Sequence, residues 1–279
     1  MTSITSYKTP QQFLNDTETV LEKTELENNL ILGLSNGFTD KNKEYPGCVF
    51  INAMDENGQI QGTSIKTISK AIVSGITKNV GAIKALADYY QSNNIDLTGV
   101  VGENFYSTEF ARHYGTRQIR TRGMIVHELK TVYQLPLVNG RLEIAGTGDI
   151  ELITQWTLNF EEDVKTFPKQ SAEQALKSTQ LRIALGNIFK WVDKEEIVSI
   201  AAIVRKTKTI GFVGLVYTPA EFRGKGYATS SVQKLSEHIL QNGFTCCGLF
   251  TDKSNPTSNH IYKKIGYKPL TEFADIEFE

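Results

Sequence analysis

Two short stretches hold residue types that could do chemistry. Gly211–Thr229 reads GFVGLVYTPAEFRGKGYAT, an apolar run, a turn and a glycine-spaced loop. Asn255–Tyr262 reads NPTSNHIY, a loop and helix start carrying one tyrosine. In the first, Arg223-Gly224-Lys225-Gly226-Tyr227-Ala228 joins a β-rich run, Ile210–Tyr217, to a helical pattern, Ser230–Gln241. A helix start has unpaired backbone N–H groups and partial positive charge, and both attract phosphate. Glycines at 224 and 226 let that backbone approach phosphate oxygens with no Cβ in the way, and Arg223 and Lys225 add charge. The same loop also fits a plain strand-to-helix turn with solvated basic residues. It is not a Walker A loop, which ends in Lys followed by Ser or Thr, and it lacks the three-glycine dinucleotide spacing.

In the second stretch Cys246–Thr251 reads as a strand, Asp252–Asn255 as a turn, and Pro256 suits a first helical turn. The helix runs to about Lys264 and stops at Gly266. Asn255 can cap that helix and still reach a ligand. Tyr262 lies about two turns in, where a phenol beside a cofactor can give a proton to a departing thiolate. A core aromatic with its hydroxyl at the surface fits the same position.

Taken together, Gly211–Pro269 resembles the catalytic half of the GNAT-type N-acetyltransferases, most of all a subgroup reading YTPxxxRGKGYA and then YTDxxNPTSNxIYxKIGY. The matching residues are Tyr217-Thr218-Pro219, Arg223 to Ala228, Thr251-Asp252, Asn255 to Asn259, Ile261-Tyr262 and Lys264 to Tyr267. The family's Arg/Gln-x-x-Gly-x-Gly/Ala signature falls on Arg223, Gly226 and Ala228, and its Asn-to-Tyr step falls on Asn255 and Tyr262. Several motifs in the right order over about sixty residues are more specific than any one of them.

The resemblance implies acetyl-CoA as the acyl donor and a primary amine, on a small molecule or a peptide, as the acceptor. It implies that Leu215, Val216 and Tyr217 offer backbone groups to the pantetheine arm and to the thioester oxygen. The pyrophosphate would lie on Gly224, Lys225, Gly226, Tyr227, Ala228 and Thr229, Asn255 would orient the cofactor, and Tyr262 would protonate the thiolate. The base is left open. Some members place a glutamate five residues before the Asn, but here that position is Phe250. Asp193, Glu195, Glu196, Glu221 and Asp252 are candidates, as is a base acting through water. An acyl-CoA sensor without turnover, or a transferase of a longer acyl group, stays open beside this reading. Acceptor choice is expected in the loop near Phe160–Gln170, where Phe160-Glu161-Glu162-Asp163 is a local acidic run.

Composition sets bounds. The chain has 279 residues and a formal net charge of −1, so neither a basic nucleic-acid footprint nor a polybasic membrane patch is present. The longest apolar run, Ile197–Val204, is too short to span a bilayer. The polar N-terminus shows no signal-peptide core, and Cys48, Cys246 and Cys247 have no metal spacing, so a cytoplasmic protein without a metal is expected.

The elements that would position these residues read as α/β: two tandem GNAT-like domains, each a mixed, mostly antiparallel twisted sheet with helices on both sides. In the second, expected as residues 139–279, strands near Arg141–Ala145, Lys190–Val192, Ile197–Arg205, Ile210–Tyr217 and Phe273–Phe278 alternate with helices at Asp149–Phe160 and Ala172–Phe189. Leu135–Arg141 reads as the linker. The first, residues 1–138, repeats the theme with helices over Pro10–Glu22, Glu25–Asn36, Val80–Ser92 and Tyr106–Tyr114. Its strands lie near Cys48–Ala53, Gln59–Thr67, Ala71–Ile76, Leu97–Val101 and Gly123–Tyr133. Laying Gly102–Gly115 beside Lys253–Gly266 puts Asn104 on Asn255 and Ser107 on Ser258, but Ala111 on Tyr262, and the glycine loop is missing. The first half therefore reads as a degenerate copy without a cofactor site. It would cover one side of the cleft and restrict acceptor size, and deleting residues 1–138 would spare cofactor binding but change acceptor preference.

Overall fold

A computed structural model describes residues 2–165 and 169–279. In chain order the elements begin β1 (Ser3–Ser6), α1 (Pro10–Leu21), α2 (Asn29–Asn36), β2 (Val49–Met54), β3 (Ile60–Lys66) and β4 (Lys70–Gly75). There follow α3 (Val80–Ser92), β5 (Gly99–Glu103), α4 (Asn104–Tyr114), β6 (Gln118–Leu129) and β7 (Arg141–Ile144). Next come α5 (Ile150–Asp163), α6 (Ala172–Ala184), β8 (Ile188–Asp193), β9 (Glu196–Lys206) and β10 (Ile210–Tyr217). The chain closes with α7 (Tyr227–Gln241), β11 (Cys246–Asp252), α8 (Pro256–Ile265) and β12 (Lys268–Phe278).

Two compact units emerge, and they do not meet at a single cut. The first takes Met1–His127, Phe250–Pro256 and Pro269–Glu279; the second takes Glu128–Leu249 and Thr257–Lys268. The break expected between 138 and 139 is corrected on this point, as is the last strand, expected to complete the second half.

In the first unit β1 to β4 form an antiparallel run, β4 lies parallel to β5, and β12 pairs antiparallel with β5 from Phe273↔Glu103 to Glu277↔Gly99. The period-2 alternation of strands sorts side chains to two faces. Phe50 joins Phe13, Leu14, Leu21, Ile31 and Leu32 on the α1/α2 face. Ile51 and Ala53 join Ala82, Ile83, Leu86 and Phe110 on the α3/α4 face. Ala274, Ile276 and Phe278 of β12 enter that second cluster, with the Phe278 ring stacked 5.2 Å from Tyr114. An alternating strand declares which of its faces is apolar but not which sheet edge it will join, so the sequence could not show this pairing.

The second unit's sheet runs β11-β10-β9-β8-β7. Ala201 and Ile203 face α7 with Val232, Leu235 and Ile239, while Ile200 and Ala202 face α5 and α6 with Ile153, Trp156 and Ile183. Helix α6 stops at Ala184, short of the expected Phe189, because Gly186 adopts a left-handed φ of 64° and turns the chain into β8. Among the described residues no helix is long and apolar enough to cross a membrane.

Candidate functional site

Strand β10 changes character halfway along. It pairs parallel with β11 from Ile210↔Cys246 to Val213↔Leu249, where that register ends. Against β9 the register slips: Gly214 faces Ala202, but Tyr217 faces Ile200, so β10 carries an extra residue. This is a β-bulge. Leu215 absorbs it with φ 48°, a left-handed value that a non-glycine residue holds at a cost of about 1–3 kcal/mol. The bulge re-sorts the faces. Val213 and Val216 both meet the cluster under α7 and α8, and Leu215 and Tyr217 both meet the α5/α6 cluster. A regular strand would have put Val213, Leu215 and Tyr217 on one side.

After β10 a short 3₁₀ turn, Ala220–Phe222, leads to Gly224 (φ 78°) and Gly226 (φ 86°). Gly226 is the N-cap of α7, and no side chain caps the helix. Helical bonding begins with Ser230 N–H donating to Gly226 O, which leaves the N–H groups of Tyr227, Ala228 and Thr229 as the helix's open donors. The two glycines differ. A Cβ on Gly224 would meet nothing within 4 Å, whereas one on Gly226 would lie 2.9 Å from Val138 Cγ1. Gly226→Ala is expected to lose about 1–2 kcal/mol to the left-handed backbone, plus the cost of moving Val138. Gly224→Ala bears the backbone cost alone. Urea midpoints of the two variants check the difference.

Val138 belongs to the segment expected as a linker. That segment is instead fastened along α7. Gln134 Nε2 donates to Glu237, Leu135 N–H to Gln233, and Val138 N–H to Ser230 Oγ, at 3.1, 3.3 and 3.1 Å. Trp191 Nε1 donates to Asn139 O at 3.0 Å.

The basic residues of the loop are engaged within the protein. Arg223 donates through Nε to Thr218 O (2.9 Å), pairs with Asp163 (2.6 Å), and lies over the Tyr217 ring. Lys225 Nζ sits 5.5 Å from the Phe222 ring centroid. The Tyr227 hydroxyl donates to Asp193 at 2.6 Å, and this bond, with burial and the Asp193 charge, holds the phenol above its ordinary range.

Most of the candidate bases are engaged as well. Asp193 accepts from Tyr227, and Glu195 pairs with Arg141, whose hydrogen bond and charge hold that carboxyl below its ordinary range. Asp252 accepts from Arg122 Nε at 2.8 Å and from Ser254 N–H at 2.8 Å. Burial pushes its carboxyl up, but those hydrogen bonds outweigh burial and leave it below the ordinary range. Asp252 thus shapes the turn before α8. Glu196 and Glu221 are exposed.

The acidic run at the end of α5 is likewise spent internally: Glu161 on Gln170, Glu162 on Lys169 and Asp163 on Arg223. Thr166–Pro168 of the expected acceptor loop lie outside the described residues.

Asn255, exposed, directly precedes α8, with Pro256 as its first residue. Tyr262 is half-buried, its ring edge-on to Tyr267 at 5.9 Å, and it packs on the same cluster as Val216. Burial pushes its phenol up to about 12.

The matching place in the first unit is built differently. Strand β4 runs without a bulge from Lys66↔Ala71 to Gly62↔Gly75 against β3. The start of α3 is capped, Asn79 Oδ1 accepting from Ala82 N–H at 3.2 Å. The Tyr106 ring covers Gly75 so closely that a Cβ there would be 2.3 Å from it.

Sequence reasoning missed Ser199, which donates to Tyr217 O, and placed Asp163 in an acceptor loop where it instead pairs with Arg223. Ser199 had a signal: it is the one polar residue in the apolar run Ile197–Val204.

Comparisons with known proteins bear on the fold that carries this geometry. The family model described as FR47-like protein matches residues 191–274. An acetyltransferase from the GNAT family from Colwellia psychrerythraea superposes with TM-score 0.62 at 12% identity, covering 99% of this chain and 100% of the other. A GCN5-related N-acetyltransferase from Sphaerobacter thermophilus gives 0.61 at 13%, covering 99% and 95%. A tandem GNAT protein from the clavulanic acid biosynthesis pathway gives 0.58 at 12%, covering 99% and 98%. No curated protein matches the sequence. At such identities the likeness is one of fold, and the chain has the GNAT fold along its length.

Proposed function

We propose that this chain is an acyl-CoA-dependent N-acyltransferase that moves an acetyl group from acetyl-CoA to a primary amine, with its working site in the second unit. One observation carries the reading. The bulged end of β10 leads into the uncapped, glycine-led start of α7, and Tyr262 packs on the core face that Val216 shares. The N–H groups of Tyr227, Ala228 and Thr229 would take the donor's pyrophosphate. The backbone of Leu215, Val216 and Tyr217 would pair with the pantetheine arm as an added strand does, and one of its N–H groups would polarise the thioester carbonyl.

The neutral amine attacks the carbonyl carbon. A C–N bond forms, the C–S bond breaks, the thiolate takes the Tyr262 proton, and the nitrogen releases its own proton to water. Tyr262 is then reprotonated from solvent. The engagement of Asp193, Glu195 and Asp252 with other groups favours a base acting through water over any one of these carboxylates. The first unit is read as a degenerate copy that takes no acyl-CoA. Its unbulged β4, the Asn79 cap on α3 and the Tyr106 ring over Gly75 support that reading.

Calorimetric titration with acetyl-CoA, followed by thiol release against a panel of amines, tests both claims. One acetyl-CoA per chain with amine-dependent thiol release is expected. Two per chain would end the degenerate-copy reading. No binding of any acyl-CoA by folded protein would end the transferase reading.

A further inference from the structure

Resting on that reading, we infer that Ser199 and Arg223 are positioning residues that hold the bulged end of β10 in its working shape, and that Arg223 acts on this strand rather than on phosphate. Past the bulge, β10 has left its register with β11. The carbonyl of its last residue, Tyr217, and that of Thr218 just beyond it are held by side chains. Ser199, fully buried, donates to Tyr217 O at 3.1 Å and lies 2.9 Å from Thr218 Oγ1. Arg223 Nε donates to Thr218 O at 2.9 Å, with its guanidinium 5.9 Å from the Tyr217 ring centroid and paired with Asp163.

A left-handed Leu215 persists only where its surroundings over-determine it. Here the pins come from two separate elements, β9 and the loop before α7. Fixing the Tyr217 and Thr218 carbonyls fixes the peptide planes on either side of Thr218, which anchors the far end of the bulged segment from which the N–H groups of Leu215, Val216 and Tyr217 are aimed. An oxyanion donor must be aimed before the reaction, so loosening the pins costs turnover more than binding. The Arg223–Asp163 pair is half-exposed on both sides and contributes little by itself. Ser199 is therefore the stronger pin.

The test compares Ser199→Ala, Arg223→Met and Asp163→Asn in the full chain. Readouts are the Kd for acetyl-CoA, and kcat with hydroxylamine as acceptor from either acetyl-CoA or S-acetyl-N-acetylcysteamine, a donor with no nucleotide. Ser199→Ala is expected to lower kcat about tenfold or more from both donors, with the Kd for acetyl-CoA changed less than about threefold. Arg223→Met should follow the same pattern more weakly, and Asp163→Asn should stay near wild type. If Arg223→Met weakens acetyl-CoA binding in a salt-dependent way while sparing the truncated donor, Arg223 is a phosphate ligand and the inference fails.

A second arm does not need activity. In a crystal structure of Ser199→Ala, Leu215 should leave the left-handed region. If it keeps that conformation the inference is overturned, whatever the kinetics. If wild-type protein neither binds nor turns over acyl-CoA, the transferase reading fails instead, and the Leu215 arm still decides whether the pins hold the bulge.

Discussion

Tyr262→Phe is expected to lower amine-dependent thiol release by about 10²–10⁴-fold, the usual contribution of a positioned general acid. The ring, which does the packing against Tyr267 and the α7/α8 cluster, is retained. Stability should therefore move by no more than about 1 kcal/mol, and acetyl-CoA affinity should barely change. This pairing of a large kinetic loss with an unmoved melting curve separates the acid from the core aromatic that the sequence equally allowed. Turnover near wild type in the variant would leave Tyr262 as packing only.

The pH dependence follows with a definite sign. The folded phenol is raised from 10.0 to about 12 by burial. The acid form is thus complete at neutral pH and persists well past the point where an exposed tyrosine would ionise. Any fall in rate below about pH 10 must come from another group. The same shift stabilises the fold below the unfolded pKa of about 10, and that contribution is lost as pH rises through 12.

The local backbone devices of the candidate site were more legible in the sequence than the arrangement around them, for a physical reason. The glycine loop, Pro256 and the stop at Gly266 are local devices, each forced by backbone conformation within a few residues, and each forms where its residues stand. The bulge at Leu215 is not local. Nothing in Gly214-Leu215-Val216 marks a left-handed leucine, and only the slip against β9 and the pins on Tyr217 and Thr218 make it tenable. Arg223 shows a related limit. A cation beside a glycine-spaced loop suggests a phosphate ligand, and its pairing with Asp163 shows only once the end of α5 is placed. The segment around Val138 misled in the opposite direction. Pro136 and Asn139-Gly140 have the composition of a linker, yet their neighbours are fixed to successive turns of α7 through side chains spaced three and four apart, Ser230, Gln233 and Glu237.

That fastening, and the pairing of β12 with β5, give the largest stability effect expected of this chain. A fragment of residues 1–138 lacks β12, and with it Ala274, Ile276 and Phe278 from the first unit's core. Burying each large side chain stabilises by about 1.5–3 kcal/mol, and the bare edge of β5 forfeits its backbone partners as well. Against a whole-domain stability of about 5–15 kcal/mol, that loss should leave the fragment without a cooperative unfolding transition. Adding a synthetic peptide of residues 268–279 is expected to restore one, with circular dichroism as the readout.

The complementary fragment, residues 139–279, loses Leu129, Val132 and Leu135 from the second unit's core, along with the bonds that hold Val138 on Ser230. Deleting residues 1–138 is therefore expected to destabilise the second unit, where the sequence suggested a truncation that spares cofactor binding and changes only acceptor preference. A second fragment beginning at Glu128 should melt at higher temperature than one beginning at Asn139. Equal melting of the two, together with a fragment 1–138 that unfolds cooperatively alone and ignores the peptide, would show that each half folds without the other's residues. The exchange of β12 would then be incidental to stability.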